Sequence, residues 1–456
     1  MLSNLVNDFL KEYCSQRKPY LPLVKDSKKI EITTKEELIK ILADVELLYR
    51  NNKDKTLEEL IELIIKDNVL KFENIRKKYG VPGYTVSIKV GNTNVKLYGG
   101  NINYLGEPMP SNALFDIASM TKFYTQIIVY NLMKEGLFKR SDKVRELDNR
   151  FVNLGNLTVD QILTFSTTFL TDGLIKDKKT IAEAKDTLFH TNVLDTGKWN
   201  YNDIGLMIMK ELMERLTGLS YIQLVDKYIV KPLGLTDTHI IVPKNKYKLI
   251  TGTPNFREGL VNDMTANAQG GYSGHAGIFA SSDDLIKLMF QIKDILPNSK
   301  DVYTPNNYRD STAKMGNVYI AHPTGIYDSF VDTTEPRDTF AIAGSTRTNA
   351  AASKDSAYTV LFNPSSMSVS EARERINKIN SETGKNINPV REYEFNRNGK
   401  LIKLNLIDPR ALFPVDPMAT TVKSVAITTI KLRFLDFILK KYEKELETVN
   451  VIKKIR

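Results

Sequence analysis

Hydrophobic positions in the first part of the chain recur at the period of an amphipathic helix. Two sequences with the spacing of a capping box, at residues 33–37 and 56–59, each precede such a repeat. The repeating apolar positions are Leu38, Ile41, Leu42, Leu60, Ile61, Ile64 and Ile65. We therefore predict an N-terminal helical extension over residues 1–78, packed on the main body and without chemistry of its own.

After Gly83, hydrophobic positions recur at every second residue instead of at helical period. Val86, Ile88 and Val90 alternate with polar residues, and residues 91–94 offer a turn before the alternation resumes. This pattern predicts a β-hairpin. Strands are predicted again late in the chain, at 339–344 and 357–362 on either side of a polar turn, and at 393–406 as a hairpin through Asn398 and Gly399.

Helical patterns dominate between these two groups of strands, and a long amphipathic helix from about Thr421 to Glu447 closes the chain. We predict an α+β fold in which an antiparallel sheet, built from both chain ends, is flanked by helices and carries an inserted helical region. The expected segments are the extension at 1–78, a catalytic domain at 79–365 with its helical insertion at about 139–335, and a hairpin and helix at 366–456 that complete or flank the sheet.

Composition narrows the class of protein. Of the 456 residues, 42% are hydrophobic and 9% aromatic, which is typical of a globular chain. The net charge of +10 is spread along the sequence without a nucleic-acid-binding motif, so no nucleic-acid partner is expected. One cysteine, Cys14, excludes an intrachain disulfide, and four widely spaced histidines lack the spacing of a zinc site. No metal or cofactor is expected.

The sequence also bears on the cellular compartment. Charged residues interrupt the N-terminus before a signal-peptide core can form, and no run of 18 apolar residues predicts a transmembrane segment. As written, the chain is expected to be cytoplasmic, and extracytoplasmic if a leader has been removed. The oligomeric state is not indicated by the sequence.

The first candidate catalytic residues are Ser119 and Lys122, which lie at the start of an apolar run with helical period. Their three-residue spacing places both on one face of a helix, where a desolvated lysine can activate a serine hydroxyl as a nucleophile. The structural alternative is a serine N-cap followed by a solvated lysine. Ser15 and Lys18 have the same spacing and no supporting context, so the spacing by itself decides little.

The surrounding motifs carry a family resemblance. Over about residues 80–365 the chain resembles the serine β-lactamase and penicillin-binding-protein superfamily, and in particular the branch with class C β-lactamases, D-alanyl peptidases and related esterases. Residues 114–122 match the nucleophile block of that family. Residues 159–167 resemble the segment that follows it, with Phe165 in the place of a histidine.

The resemblance implies roles for a second block. Tyr201 and Asp203 match the family's Tyr-x-Asn motif in the variant that ends in Asp. Tyr201 is then expected to act as a general acid and base, and Asp203 to orient Tyr201 and Lys122. An aspartate here favours a charged Lys122, and Tyr-x-Asp resembles the esterase-leaning members of the family.

The third block departs from the family pattern. The family's Lys-Thr-Gly or His-x-Gly sequence corresponds to residues 342–344, where Ile342 replaces the cation and Gly344 is kept. Gly344 and Ser345 are expected to form part of the oxyanion hole, with Thr346 and Arg347 nearby in the substrate site. The missing cation argues against an efficient β-lactamase or D-Ala-D-Ala carboxypeptidase. The glycine-rich stretch around His275 is interpreted as a structural loop.

Together these features predict a serine hydrolase that forms an acyl-enzyme on Ser119. An esterase or D-amino-acyl ester or amide hydrolase is expected first, acting on a small-molecule or cell-wall-type acyl substrate. A penicillin-binding D-alanyl peptidase or β-lactamase is the second reading. A non-catalytic binding protein with the same fold is the third.

Overall fold

A computed structural model gives the architecture of the chain. It describes residues 4–15, 35–79, 81–103, 105–197, 200–251, 259–295, 340–353, 355–363, 369–384, 386, 390–397, 400–407, 415–442 and 447–455. The 296–335 part of the predicted helical insertion, the predicted turn at 398–399 and His322 lie outside these ranges.

Strands follow the N-terminal helices and return in the late part of the chain, with short strands between these two groups. In chain order they are β1 (Gly83–Val90), β2 (Thr93–Gly100), β3 (Phe115–Asp116), β4 (Thr167–Leu170), β5 (Asn192–Thr196), β6 (Thr238–His239), β7 (Phe279–Ala280), β8 (Phe340–Gly344), β9 (Thr348–Ala352), β10 (Ser356–Asn363), β11 (Val390–Arg397), β12 (Lys400–Ile407) and β13 (Val449–Ile455).

Helices precede the first hairpin, fill the middle of the chain and return after β10. They are α1 (Asn4–Ser15), α2 (Lys35–Asn51), α3 (Leu57–Tyr79), α4 (Thr121–Lys134), α5 (Val144–Leu147), α6 (Val159–Leu163), α7 (Ile181–Phe189), α8 (Ile204–Thr217), α9 (Tyr221–Val225), α10 (Lys231–Leu233), α11 (Met264–Ala268), α12 (Ser282–Ile295), α13 (Val369–Thr383) and α14 (Val415–Lys441). Among these helices, none combines the length and hydrophobicity needed to cross a membrane.

A six-stranded sheet joins the two ends of the chain in the order β13-β2-β1-β10-β9-β8. Every pairing is antiparallel except that of β13 with β2, which is parallel. The sequence prediction of a helix-flanked α+β fold, with its sheet built from both ends, is therefore confirmed. The shorter pairs β4-β5 and β11-β12, and the set β3-β7-β6, form separate small sheets.

Each face of the central sheet covers its own hydrophobic core. One core packs Val86 and Val360 of the sheet against α1, α2, α3 and α14, with Phe434 fully buried. The other packs Ala350 and Leu361 against the helices of the middle region, including α4, α8 and α12. Both cores are needed to bury the sheet, because alternate residues of each strand point to opposite faces.

Two strands differ from the sequence prediction. The polar turn expected between 344 and 357 contains β9, whose alanine-rich sequence has low β propensity but pairs on both sides with β8 and β10. The last helix ends at Lys441 rather than near Glu447, and β13 follows it. That strand was missed because Lys453 and Lys454 interrupt its alternation.

Two neighbouring residues of the edge strand β13, Val451 and Ile452, differ in burial and serve as a matched pair for substitution. Val451 is buried in the core under α3 and α14, whereas the Ile452 side chain is 61% exposed. We expect Val451→Asp to lower the free energy of unfolding by roughly 3 kcal/mol or more, because it buries an unpaired charge. Ile452→Asp should change it by about 0.5 kcal/mol or less. Urea unfolding of both variants tests this, and equal losses would contradict the register of β13.

Candidate active site

Ser119 lies in a tight turn that connects β3 to α4. Residues Ala118–Met120 form one turn of 3₁₀-helix, and Ala118 adopts the left-handed region with φ of 45°. The Asp116 side chain accepts a hydrogen bond of 2.8 Å from the Ala118 N–H. A non-glycine residue in this conformation is strained, and such strain persists where the surroundings impose it. The turn presents the partly exposed Ser119 side chain at the start of a buried helix.

Lys122 lies one turn further along, in the first turn of α4, and its side chain is 0% exposed. Its Nζ donates a hydrogen bond of 3.0 Å to Ser119 Oγ and lies 2.7 Å from Asp203 Oδ1. Burial of a lysine without a partner would be costly, so the Asp203 carboxylate stabilises it. The alternative of a serine cap followed by a solvated lysine is therefore wrong.

Tyr201 approaches the same serine from the segment before α8. Its hydroxyl donates a hydrogen bond of 3.0 Å to Ser119 Oγ, and its ring lies 4.9 Å from Lys122 Nζ. The buried Phe165 stacks on the Tyr201 ring at a centroid distance of 5.5 Å. Phe165, the residue in the family's histidine place, therefore contacts Tyr201 by packing and orients it.

Asp203 stands at the N-terminus of α8, yet its carboxylate does not cap that helix. Asn202 takes that role, since its Oδ1 accepts a hydrogen bond of 2.9 Å from the Gly205 N–H. Partial burial by itself would raise the pKa of Asp203, but the adjacent Lys122 ammonium outweighs it and lowers that pKa below its usual range. Asp203 is thus held as a carboxylate beside Lys122.

The edge strand β8 closes the other side of the serine turn. A Cβ atom on Gly344 would lie 2.5 Å from the Ile117 carbonyl oxygen and would also collide with Thr348, so only glycine permits this approach. Ile342 lies on the same face of β8 as Gly344 and is buried in the core, 2% exposed. No cation therefore occupies its place.

The turn after Gly344 carries the remaining predicted residues. Ser345 is exposed, whereas Thr346 is buried and its hydroxyl donates a hydrogen bond of 2.6 Å to the Asp116 carbonyl oxygen. Arg347 closes the turn through its N–H to the Gly344 carbonyl and adopts φ of 64°. Thr346 therefore links the end of β8 to the serine turn by a hydrogen bond, whereas the Ser345 side chain is exposed to solvent.

Sequence reasoning brought together four side chains that the fold places in contact, namely Ser119, Lys122, Tyr201 and Asp203. It did not single out Asp116, whose Oδ2 also accepts a hydrogen bond of 2.6 Å from the Asn262 N–H. The only sequence signal for Asp116 was its position three residues before the serine. The catalytic roles assigned to the four side chains remain predictions at this point.

Comparison with known proteins agrees with this arrangement. The family model described as beta-lactamase matches residues 69–377. The chain belongs to the beta-lactamase family, whose members are serine hydrolases. The sequence-based resemblance to the serine β-lactamase and penicillin-binding-protein superfamily is confirmed.

Individual related proteins share low sequence identity with this chain. A protein of Escherichia coli O157:H7 named putative D-alanyl-D-alanine carboxypeptidase is 27% identical over 269 residues, which cover 50% of this chain and 58% of that protein. A class C β-lactamase from Rhodobacter sphaeroides is similar in structure with a TM-score of 0.51, 16% identity and coverage of 66% and 94%. EstCE1, described as a hydrolase with promiscuous acyltransferase activity, has a TM-score of 0.52, 14% identity and the same coverage. The two structures show likeness of fold alone.

The partly buried Asp116 carboxyl group predicts a pH dependence of stability. Burial raises the pKa of Asp116 to about 6, although the Asn262 and Ala118 N–H groups partly oppose it. The folded chain therefore binds this proton more tightly than the unfolded chain, whose pKa lies near the ordinary 3.8. This group consequently favours folding at low pH, and that contribution is lost as the pH rises through about 6.

We expect the difference in unfolding free energy, wild type minus Asp116→Asn, to fall between about pH 4 and pH 7 and to stay level above that. Urea unfolding at a series of pH values measures it. A difference that is constant or that rises with pH would contradict this assignment.

Proposed function

We propose that the protein is a serine hydrolase that forms an acyl-enzyme on Ser119, and that its substrates are esters, or D-amino-acyl esters or amides. The observation that carries the proposal is the pair of hydrogen bonds on Ser119 Oγ, one from Lys122 and one from Tyr201, each 3.0 Å long. Nucleophile and acid–base groups are thus within proton-transfer distance without rearrangement.

The charge on Lys122 assigns the proton transfers to Tyr201. Because Lys122 is buried against the Asp203 carboxylate, it is held as an ammonium and has no lone pair with which to act as a base. An ammonium beside the phenol favours the phenolate form of Tyr201. Once its own hydroxyl proton has passed to solvent, Tyr201 no longer donates to Ser119 Oγ and accepts the Ser119 proton as a phenolate.

In the acylation step, Ser119 Oγ forms a bond to the acyl carbon as its proton passes to Tyr201. The bond between that carbon and the leaving group then breaks, and Tyr201 returns the proton to the departing oxygen or nitrogen. In deacylation, water gives a proton to Tyr201 as its oxygen bonds to the acyl carbon; the bond to Ser119 Oγ then breaks, Tyr201 returns the proton to Ser119, and the acid is released. Water is the co-reactant, and no redox partner is required.

The developing oxyanion needs donors on the opposite side of the acyl carbon. The Ser119 N–H belongs to the first turn of a helix, where N–H groups lack intrahelical acceptors. The exposed Ser345 follows Gly344, which lies against the serine turn. We assign the oxyanion hole to the N–H groups of Ser119 and Ser345.

The buried Ile342 supports ester substrates over peptides that end in a free carboxylate. A substrate carboxylate would need a cation at this place on the strand, and an apolar side chain inside the core provides none. Hydrolysis of an ester requires the nucleophile, the proton-transfer group and the oxyanion hole, but no such cation. Arg347, at the adjoining turn, is the residue that could substitute for it.

A D-alanyl peptidase or β-lactamase is the second candidate, and the name of the Escherichia coli relative favours it. The third is a binding protein without turnover. It is supported by the loss of the strand cation at Ile342.

Covalent labelling tests the nucleophile. We expect a fluorophosphonate probe to add once to the wild-type chain and Ser119→Ala to lose that labelling completely. Ser15→Ala is the matched control, since Ser15 and Lys18 repeat the spacing of Ser119 and Lys122, and it should label like wild type. Intact-mass analysis and peptide mapping locate the adduct. Labelling that persists in Ser119→Ala would overturn the assignment.

Substrate comparison separates the three candidates. We expect turnover of short-chain p-nitrophenyl and D-alanyl esters, and no stable adduct with a fluorescent penicillin, because the strand lacks the cation for its carboxylate. A penicillin adduct on Ser119 that is weakened in Arg347→Gln would favour the peptidase. Absence of both labelling and turnover in a folded chain would support the binding protein.

A further inference from the structure

A cavity of about 330 Å³ lies between the central sheet and α12, and it is lined by residues of β1, β2, β13 and α12. The helix packs across β1, β9 and β10, and the cavity lies where the sheet continues past the helix into β2 and β13. Ser119 adjoins β8 at the opposite edge of the sheet, three strands and roughly 14 Å from β1. The cavity is therefore separate from the candidate active site.

Polar side chains of β1 and β2 form the floor of this cavity. Ser87 of β1 lies opposite Lys96 of β2, and Lys89 lies opposite Asn94. Ser87 and Lys89 are two residues apart, so both side chains project from the same face of β1, about 7 Å apart along the strand. Lys96 forms a salt bridge with Asp283 of α12, so this is the face that is turned towards the helix.

The lysines that line the cavity differ in their partners. Lys96 is paired with Asp283, and Lys287 of α12 lies 3.7 Å from Asp284. Lys89 is half-buried, and within the described part of the chain no carboxylate lies within ion-pair distance of its Nζ. Desolvation accordingly lowers the pKa of Lys89 below its ordinary value. The cavity thus carries one positive charge that the described residues do not neutralise.

Neutral groups hold the Lys89 ammonium at the cavity. Its Nζ donates a hydrogen bond of 3.0 Å to Asn94 Oδ1 and lies 4.7 Å from the centroid of the Phe290 ring. Asn94 is itself fixed, since its Nδ2 donates a hydrogen bond of 2.7 Å to Asn450 Oδ1 on β13. The position of this cation is therefore set by three elements, and its charge remains available to a ligand.

Ser87 adds a hydrogen-bond donor. Its side chain is 3% exposed, and its Oγ has no hydrogen-bond partner among the described residues. A buried hydroxyl without a partner is unfavourable, so a group that accepts its proton in the cavity would stabilise it. The hydroxyl of Ser87 and the ammonium of Lys89 can be bridged by one anionic group and the chain that carries it.

The helix supplies an apolar wall. Ile286 and Phe290 line the cavity and are four residues apart on α12, so they lie on the same side of the helix. An apolar or aromatic group in contact with them would be removed from water, which favours binding. One unneutralised cation, one free hydroxyl donor and an apolar wall together suit a small anion with an apolar body.

We propose that this cavity binds a small carboxylic acid as its anion, with the carboxylate held by Lys89 and Ser87 and an apolar or aromatic body packed against Phe290 and Ile286. A monoanion is favoured because one cation is available, and because the carboxylate of Asp283 at the cavity repels a second negative charge. Binding here does not depend on the proposed hydrolase function, since no residue of the candidate active site takes part.

Fluorine NMR with 4-(trifluoromethyl)benzoate as the probe tests the site. We expect saturable binding, and binding of 4-(trifluoromethyl)benzamide that is about tenfold weaker or more, because the amide has the same shape without the charge. Lys89→Gln should weaken benzoate binding to about the level of the amide. Lys287→Gln is the matched control, since this lysine lines the same cavity beside Asp284, and it should change the affinity by about twofold or less.

Ser87→Ala gives a second measurement that does not depend on the lysine variants. The substitution removes a hydroxyl that makes no hydrogen bond within the described residues, so the midpoint of urea unfolding should not fall. Benzoate binding should nevertheless weaken by about threefold or more. If Lys89→Gln does not fold, this variant decides the matter. A cavity that holds only water would show no saturable binding and would overturn the proposal, as would equal binding of benzoate and benzamide or equal losses in Lys89→Gln and Lys287→Gln.

Photo-crosslinking with 4-benzoylbenzoate locates the bound acid. Peptide mapping should place the adduct on β1, β2, β13 or α12, and Lys89→Gln should lose it. Adducts found only outside these elements, including at Ser119, would overturn the assignment of the cavity. Fluorophosphonate labelling of Ser119 should be the same in Lys89→Gln as in wild type, so failure of the acid-binding site and failure of the hydrolase proposal are measured separately.

Discussion

The ion pair between Lys122 and Asp203 is the interaction on which the rest of the site depends. A fully buried ammonium requires a counter-charge, and the carboxylate 2.7 Å away provides it. Asp203 is available because the neighbouring Asn202 caps α8 in its place. The same ammonium lies against the Tyr201 ring and donates to Ser119 Oγ. One buried charge therefore joins the start of α4 to the start of α8.

A second constraint is the close approach of the sheet edge to the serine turn. Gly344 lies against the Ile117 carbonyl, and the Thr346 hydroxyl bonds the carbonyl of Asp116. This contact joins a strand from the late part of the chain to a turn from the early part, and the six-stranded sheet makes it possible by pairing both chain ends. The strained φ of Ala118 is held by the same contacts.

The chain matches the beta-lactamase family around Ser119 but differs from the family pattern at Ile342. The residues around Ser119 are those of the beta-lactamase family, but the strand position that carries a cation in the sequence pattern is filled here by a side chain of the core. Under the proposed function, this difference would affect recognition of a substrate carboxylate, whereas the proposed proton-transfer groups are retained. It would therefore bear on which acyl compounds are accepted more than on the reaction itself.

The sequence by itself determined the class of fold through local period, and the nucleophile block and the Tyr-x-Asp motif through their resemblance to short family motifs. It could not place β9 or β13, since an alanine-rich strand and a lysine-rich strand become strands only through their partners in the sheet. Nor could it distinguish Ser119 from Ser15 by spacing. Only the tertiary structure decided that Lys122 is buried and that the Asp203 carboxylate contacts it instead of capping α8. Both depend on a contact between residues far apart in the chain.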